Sequence, residues 1–68
     1  MILLDHDDRL VAVNDDITVA VVWSPDRGWV QTGEAFPRKA WLDGERLDRG
    51  AAEARFPDVN WDTVPELA

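Results

Sequence analysis

WSPDRGWV, residues 23–30, sets two tryptophans on either side of a turn. The register of that turn decides how the chain is layered. Ser24-Pro25-Asp26-Arg27-Gly28 has turn chemistry throughout: proline presets φ early, and glycine supplies a positive φ at the end. Ile17–Trp23 is rich in β-branched residues and reads as the strongest strand of the chain. Trp29–Thr32 returns antiparallel. Side chains alternate along a strand, so Ile17, Val19, Val21 and Trp23 share one face, and Thr18, Ala20, Val22 and Ser24 the other. With Pro25–Gly28 as the loop, Ser24 faces Trp29 and Trp23 faces Val30. The tryptophans then point to opposite sides of the sheet. Trp23 enters the core, and Trp29 lies on a mixed face with Ser24 and Gln31. A different loop length reverses this assignment, because a one-residue slip turns every side chain to the other face.

Working outward, Ile2–Leu4 and Arg9–Val13 read as two earlier strands, ended by Asp5-His6-Asp7-Asp8 and Asn14-Asp15-Asp16. Short successive connections predict an up-and-down meander. Downstream, Phe36-Pro37 breaks the pattern. Asp43-Gly44, inside Trp41–Leu47, is a type I′ turn signal and predicts a small hairpin. Asp48 is a good N-cap for a helix over Arg49–Phe56, which Pro57 stops. Asp58–Ala68 reads as an extended tail in which Trp61 needs somewhere to dock, with a frayed end at 65–68. The expected fold class is α+β: a small antiparallel β-meander of three or four strands, with an added hairpin, covered by one short C-terminal helix.

GWVQTGEAFPRKAW, residues 28–41, resembles the end of an SH3 domain, where a tryptophan-bearing strand leads to a glycine and then Phe-Pro. The step from Trp29 to Phe36-Pro37 is shorter than that family's, and no acidic, aromatic-rich loop precedes it. The resemblance implies an alternative architecture, a small SH3-like β-barrel whose closure would remove the edges of the meander.

Composition bounds the function. The 68 residues make one small acidic domain, residues 1–68, which buries only roughly 60% of its unfolded surface. There is no cysteine, so no disulfide and no thiolate metal site. MILLDHDD lacks the basic start and long apolar run of a signal peptide, and no stretch is long enough for a membrane span, so a cytoplasmic protein is expected. Six of the seven basic residues are arginine, and Ala, Val, Asp and Gly are frequent, a composition expected of a high-GC bacterial or phage genome. The net charge of −7 is uneven: −4 over residues 1–16, zero over 17–49 and −3 over 50–68. Duplex nucleic acid and anionic membranes disfavour such a chain.

Motifs for chemistry are sparse. The two acidic turns sit at opposite ends of a five-residue strand, about 16 Å apart, and match no calcium loop. His6 and Ser24 are the only histidine and the only serine, two strands apart in the expected order. No glycine pattern fits a phosphate loop. No metal, cofactor, small-molecule substrate or enzymatic activity is expected. The four tryptophans, 23, 29, 41 and 61, are the notable feature. Core is the first expectation for Trp23 and Trp41. Exposed tryptophans are typical interface anchors, so Trp29, Gln31, Asp26 and Trp61 are the candidate protein-binding residues. Asp26 and Glu34, rimming Trp29, would suit a basic ligand. The leading expectation is a non-enzymatic protein-interaction module. It would bind a protein partner, or itself as a homodimer, through the Trp29 face or an open strand edge. The alternative is an acidic inhibitor or nucleic-acid mimic in a basic groove of another protein.

Overall fold

The computed structural model describes residues 1–67, so the frayed end expected at 65–68 falls in part, at Ala68, outside the described residues. Five strands form one antiparallel sheet: β1 (Ile2–His6), β2 (Arg9–Val13), β3 (Ala20–Ser24), β4 (Gly28–Gln31) and β5 (Glu45–Leu47), in the spatial order β4-β3-β2-β1-β5. Two helices complete it, α1 (Phe36–Asp43) between β4 and β5, and α2 (Arg49–Arg55) after β5. A single 3₁₀ turn, Trp61–Thr63, shapes the tail. The α+β class and the antiparallel sheet agree with the sequence. The end strands β4 and β5 do not meet, so the sheet is open and the SH3-like barrel is excluded. There are also two helices where one was expected.

Local chemistry explains the connections. Asp7 and Asp8 turn the first hairpin with φ of 52° and 63°, between the paired His6 and Arg9. Two positive φ values define a tight hairpin turn, and short polar side chains tolerate them best after glycine. The next connection is organised by Asn14, which is buried. Its Oδ1 accepts from the Thr18 and Val19 amides at 2.8 and 2.9 Å, and its Nδ2 donates to Thr18 Oγ1 at 2.8 Å. That hub bends the chain before β3 begins at Ala20. Ile17, expected in the strand, sits instead in the bend at φ 58°, an unusual conformation for a β-branched residue. Its side chain packs on the α1 side of the sheet.

The expected hairpin over Trp41–Leu47 is not formed. Phe36-Pro37 begins α1 instead of breaking a strand. Proline is tolerated in the first helical turn because its missing N–H would have no partner there. Asp43-Gly44 ends that helix. Glu45–Leu47 then pairs with β1, Leu3 opposite Leu47. Since β4 and β5 run in the same direction at opposite edges, the chain must recross the sheet, and α1 makes the crossing.

The sheet carries a core on each face. Leu4, Val11, Val13 and Ala20 pack with Ala40 of α1. Leu3, Leu10, Ala12 and Val21 pack on the other side with Leu47, Ala52 of α2 and Val59 of the tail. This explains why Leu10–Val13 is an unbroken apolar run: central β2 is covered on both sides. Asp48 caps α2 by accepting from the Ala51 amide at 2.7 Å.

Gly44, which follows α1, lies close against both the end of that helix and β1. A Cβ there would lie 2.6 Å from the Ala40 carbonyl oxygen and 3.2 Å from that of Asp5. Gly44→Ala is therefore expected to destabilise the fold by about 1–3 kcal/mol in chemical denaturation. Gly33→Ala, which meets nothing within 4 Å, is expected to stay within about 0.5 kcal/mol of wild type. Equal stability of the two variants would contradict the close approach.

Candidate functional site

The hairpin of residues 23–30 closes one residue earlier than its turn chemistry suggests. Ser24 pairs with Gly28, Trp23 with Trp29 and Val22 with Val30, leaving Pro25-Asp26-Arg27 as the loop. Gly28 accepts φ 77°, and the Arg27 amide donates to Ser24 Oγ at 3.3 Å. The tryptophans consequently share a face, which corrects the opposite-sided arrangement expected from a four-residue loop. Their rings meet edge to face, 5.4 Å between centroids at 67°. Both pack against the core beneath α2 and the tail. The physical reason is coverage: α2 packs over β1 and β5, and the tail that follows it, with Phe56 and Val59, lies on the tryptophan side of the hairpin, so an indole placed there loses more water. Trp29 Nε1–H is buried without an acceptor among the described residues.

The four candidate binding residues therefore occupy different settings. Trp29 is half-buried beside Trp23, and its face is not the mixed one expected. Trp61 is docked. Its Nε1–H donates to the Phe56 carbonyl at 3.3 Å, and the Arg49 guanidinium lies 4.7 Å over its ring. Asp26 is exposed at the hairpin tip. It lines a cleft of about 500 Å³ floored by Trp23 and Phe56, and Glu34 takes no part in that cleft. Gln31 is exposed at the end of β4.

Gln31 matters for its backbone. The Thr32 amide donates to the Ala20 carbonyl at 3.0 Å, which fixes the phase of the β3–β4 ladder. In an antiparallel ladder, alternate residues turn their N–H and C=O inward. Val30 and Thr32 thus face β3, and Trp29 and Gln31 present their backbone groups outward. β4 is the end strand, with no strand on its outer side among the described residues.

On the α1 side, the helix packs over β1 and β2 and leaves the β3–β4 half open. A groove of about 730 Å³ runs there. Val22, Val30 and Phe36 supply its apolar surface, and Val30 is 37% exposed. Arg9, Arg27 and Lys39 line it, with Asp7 as its one acidic residue. None of these three cations has an ion pair among the described residues. Sequence reading passed over them because residues 9, 27 and 39 come together only through the strand order.

Other charged groups hold the fold. Arg55 donates to Asp5 at 3.1 Å and to both Glu45 oxygens at 3.1 and 3.3 Å, pinning α2 to the β1–β5 edge. Hydrogen bonds from Glu45 first, then Asp5, raise the Arg55 pKa further above its ordinary value. A raised basic pKa adds stability that disappears only as pH climbs through the folded value. Both values exceed the pH range in which proteins fold, so Arg55 itself contributes no pH dependence there.

His6 stands edge-on to Phe36 at 5.3 Å, with Nδ1 3.6 Å from Asp7. Ser24 is two strands away, about 10 Å between backbones at ordinary strand spacing, and lines the same groove as His6 and Asp7. Among the described residues, no group of three His, Asp or Glu side chains is placed to hold a metal ion, and no helix is long and apolar enough to cross a membrane. No protein-family model, no curated protein and no solved structure matches the chain.

The shared-face arrangement has an energetic signature. A double-mutant cycle with Trp23→Leu and Trp29→Leu is expected to show a coupling of about 0.5–1.5 kcal/mol in chemical denaturation. Strict additivity would place the two rings apart and contradict the register.

Proposed function

We propose that the protein is a non-enzymatic interaction module that takes up a strand of a protein partner along β4. The observation that carries this reading is the open outer ladder of β4, where the backbone groups of Trp29 and Gln31 have no partner strand. An unpaired edge is a ready template for strand addition, in which main-chain hydrogen bonds give affinity. The exposed Val30 side chain adds an apolar contact next to that edge. The opposite edge, β5, has three residues and runs at once into α2, so it offers less ladder. Trp29 contributes by stiffening β4 through its contact with Trp23, and Trp61 by holding the tail that roofs the pair.

Gln31→Pro tests this directly. Proline removes an outward donor and leaves the β3–β4 hydrogen bonds in place, and edge strands tolerate it. The variant is expected to fold with a thermal midpoint close to wild type. A blocked peptide of alternating Thr and Val, long enough to span the four residues of β4, is expected to shift the wild-type amides of residues 28–32 in NMR titrations. That response should persist at high salt and be absent in Gln31→Pro. Undiminished peptide binding by a folded Gln31→Pro variant, or shifts confined to other surfaces, would overturn the reading.

A further inference from the structure

The distribution of positive charge narrows the partner. The chain has seven Lys and Arg residues against fourteen Asp and Glu. Three of the seven serve the fold: Arg46 lies over Trp41 at 5.5 Å, Arg49 pairs with Glu53 and covers Trp61, and Arg55 joins Asp5 and Glu45. Of the remaining four, Arg9, Arg27 and Lys39 line one groove, and Arg38 lies elsewhere beside Trp41. A protein of net charge −7 thus gathers three of the four side-chain cations without an ion pair or ring contact among the described residues around the apolar strip of Val22 and Val30, next to the open edge of β4. One acidic residue, Asp7, shares that groove.

We infer that the groove beside β4 receives an extended acidic segment of a partner protein, one in which carboxylates alternate with apolar residues. This rests on the strand-addition reading of β4. A strand laid along β4 turns every second side chain toward the α1 side of the sheet. There, apolar side chains meet Val30, and long carboxylates face the groove lined by Arg27 and Lys39, with Arg9 on β2, two strands in from β4. Across the hairpin, the cleft floored by Trp23 and Phe56 is lined by three acids, Asp8, Asp26 and Asp58, against two cations, Arg9 and Arg55, so acids outnumber cations there whereas cations outnumber acids in the groove. A strand adding at β4 with its acids on the α1 side keeps them away from these carboxylates. Local complementarity of this kind sets orientation and partner choice.

The test compares three blocked peptides of equal length by NMR titration: alternating Glu-Val, alternating Thr-Val and alternating Lys-Val. The net charge of the protein favours the Lys peptide at long range, so a preference for Glu has to arise in the groove. The Glu-Val peptide is expected to bind about five- to tenfold more tightly than Thr-Val at low salt, with the advantage shrinking at high salt. Its shifts should include Arg9, Arg27 and Lys39 as well as Trp29 and Gln31. The combined variant Arg9→Gln, Arg27→Gln and Lys39→Gln, which breaks no ion pair among the described residues, should bind the Glu and Thr peptides equally. Equal binding of all three peptides by the wild type, or preference for Lys-Val, would overturn the charge inference and leave strand addition standing. Absence of binding by all three would overturn strand addition itself. Shifts at the three cations with inorganic phosphate equal to those with the Glu peptide would reduce the groove to a general anion site and also overturn the inference.

Discussion

The rest of the structure depends on the pairing of Ser24 with Gly28. Gly28 takes a φ of 77°, which side chains other than glycine adopt with strain, and the pair it makes sets Trp23 beside Trp29. Two indoles on one face of a short hairpin form a large apolar surface that must be covered. The tail covers it, and the tail in turn is held by Trp61, by the Phe56 carbonyl and by α2. Arg55 then ties α2 to the far edge through Asp5 and Glu45. A shift of one residue at the turn would bring Trp29 out over the α1 side, where nothing roofs β4.

A chain of this size cannot cover a five-stranded sheet completely on both sides. α1 has eight residues and α2 seven. With the tail assisting α2, the tryptophan side is covered further toward β3 and β4, with a cleft left open at Trp23 and Phe56. α1 works alone, covers β1 and β2, and leaves Val22 and Val30 near solvent. The open groove and the open edge of β4 are therefore two consequences of one shortage. That three of the four cations without an ion pair or ring contact among the described residues line the same groove gives the gap a chemical character beyond incomplete packing.

Much of the fold was legible in the sequence where residue chemistry is local. The turn at 24–28, the strand at 9–13, the Asp48 cap and the stop at Pro57 all rest on conformational preferences that act within a few residues. Phe36-Pro37 and Asp43-Gly44 misled because the same residues start and end helices as well as make turns, and only the pairing of Glu45–Leu47 with β1 decides between them. Ile17 misled because the buried hydrogen bonds of Asn14 outweigh its strand preference. The tryptophan register was illegible because loop length, and with it the facing of every residue, turns on one residue that proline and glycine do not specify. Gln31 was singled out for its side chain, whereas its outward backbone is what the edge offers. The groove cations left no local signal, since 9, 27 and 39 belong to β2, the hairpin tip and α1.

Amide hydrogen exchange along residues 28–32 of the monomer tests the central claim most directly, because register and open edge predict one pattern together. Val30 and Thr32 should exchange slowly, bonded to β3, while Trp29 and Gln31 between them exchange fast. The reversed alternation would contradict the register and return Trp29 to the other face. Slow exchange at all four positions would mean that the outer side of β4 is already occupied, and the edge would no longer be available to a partner.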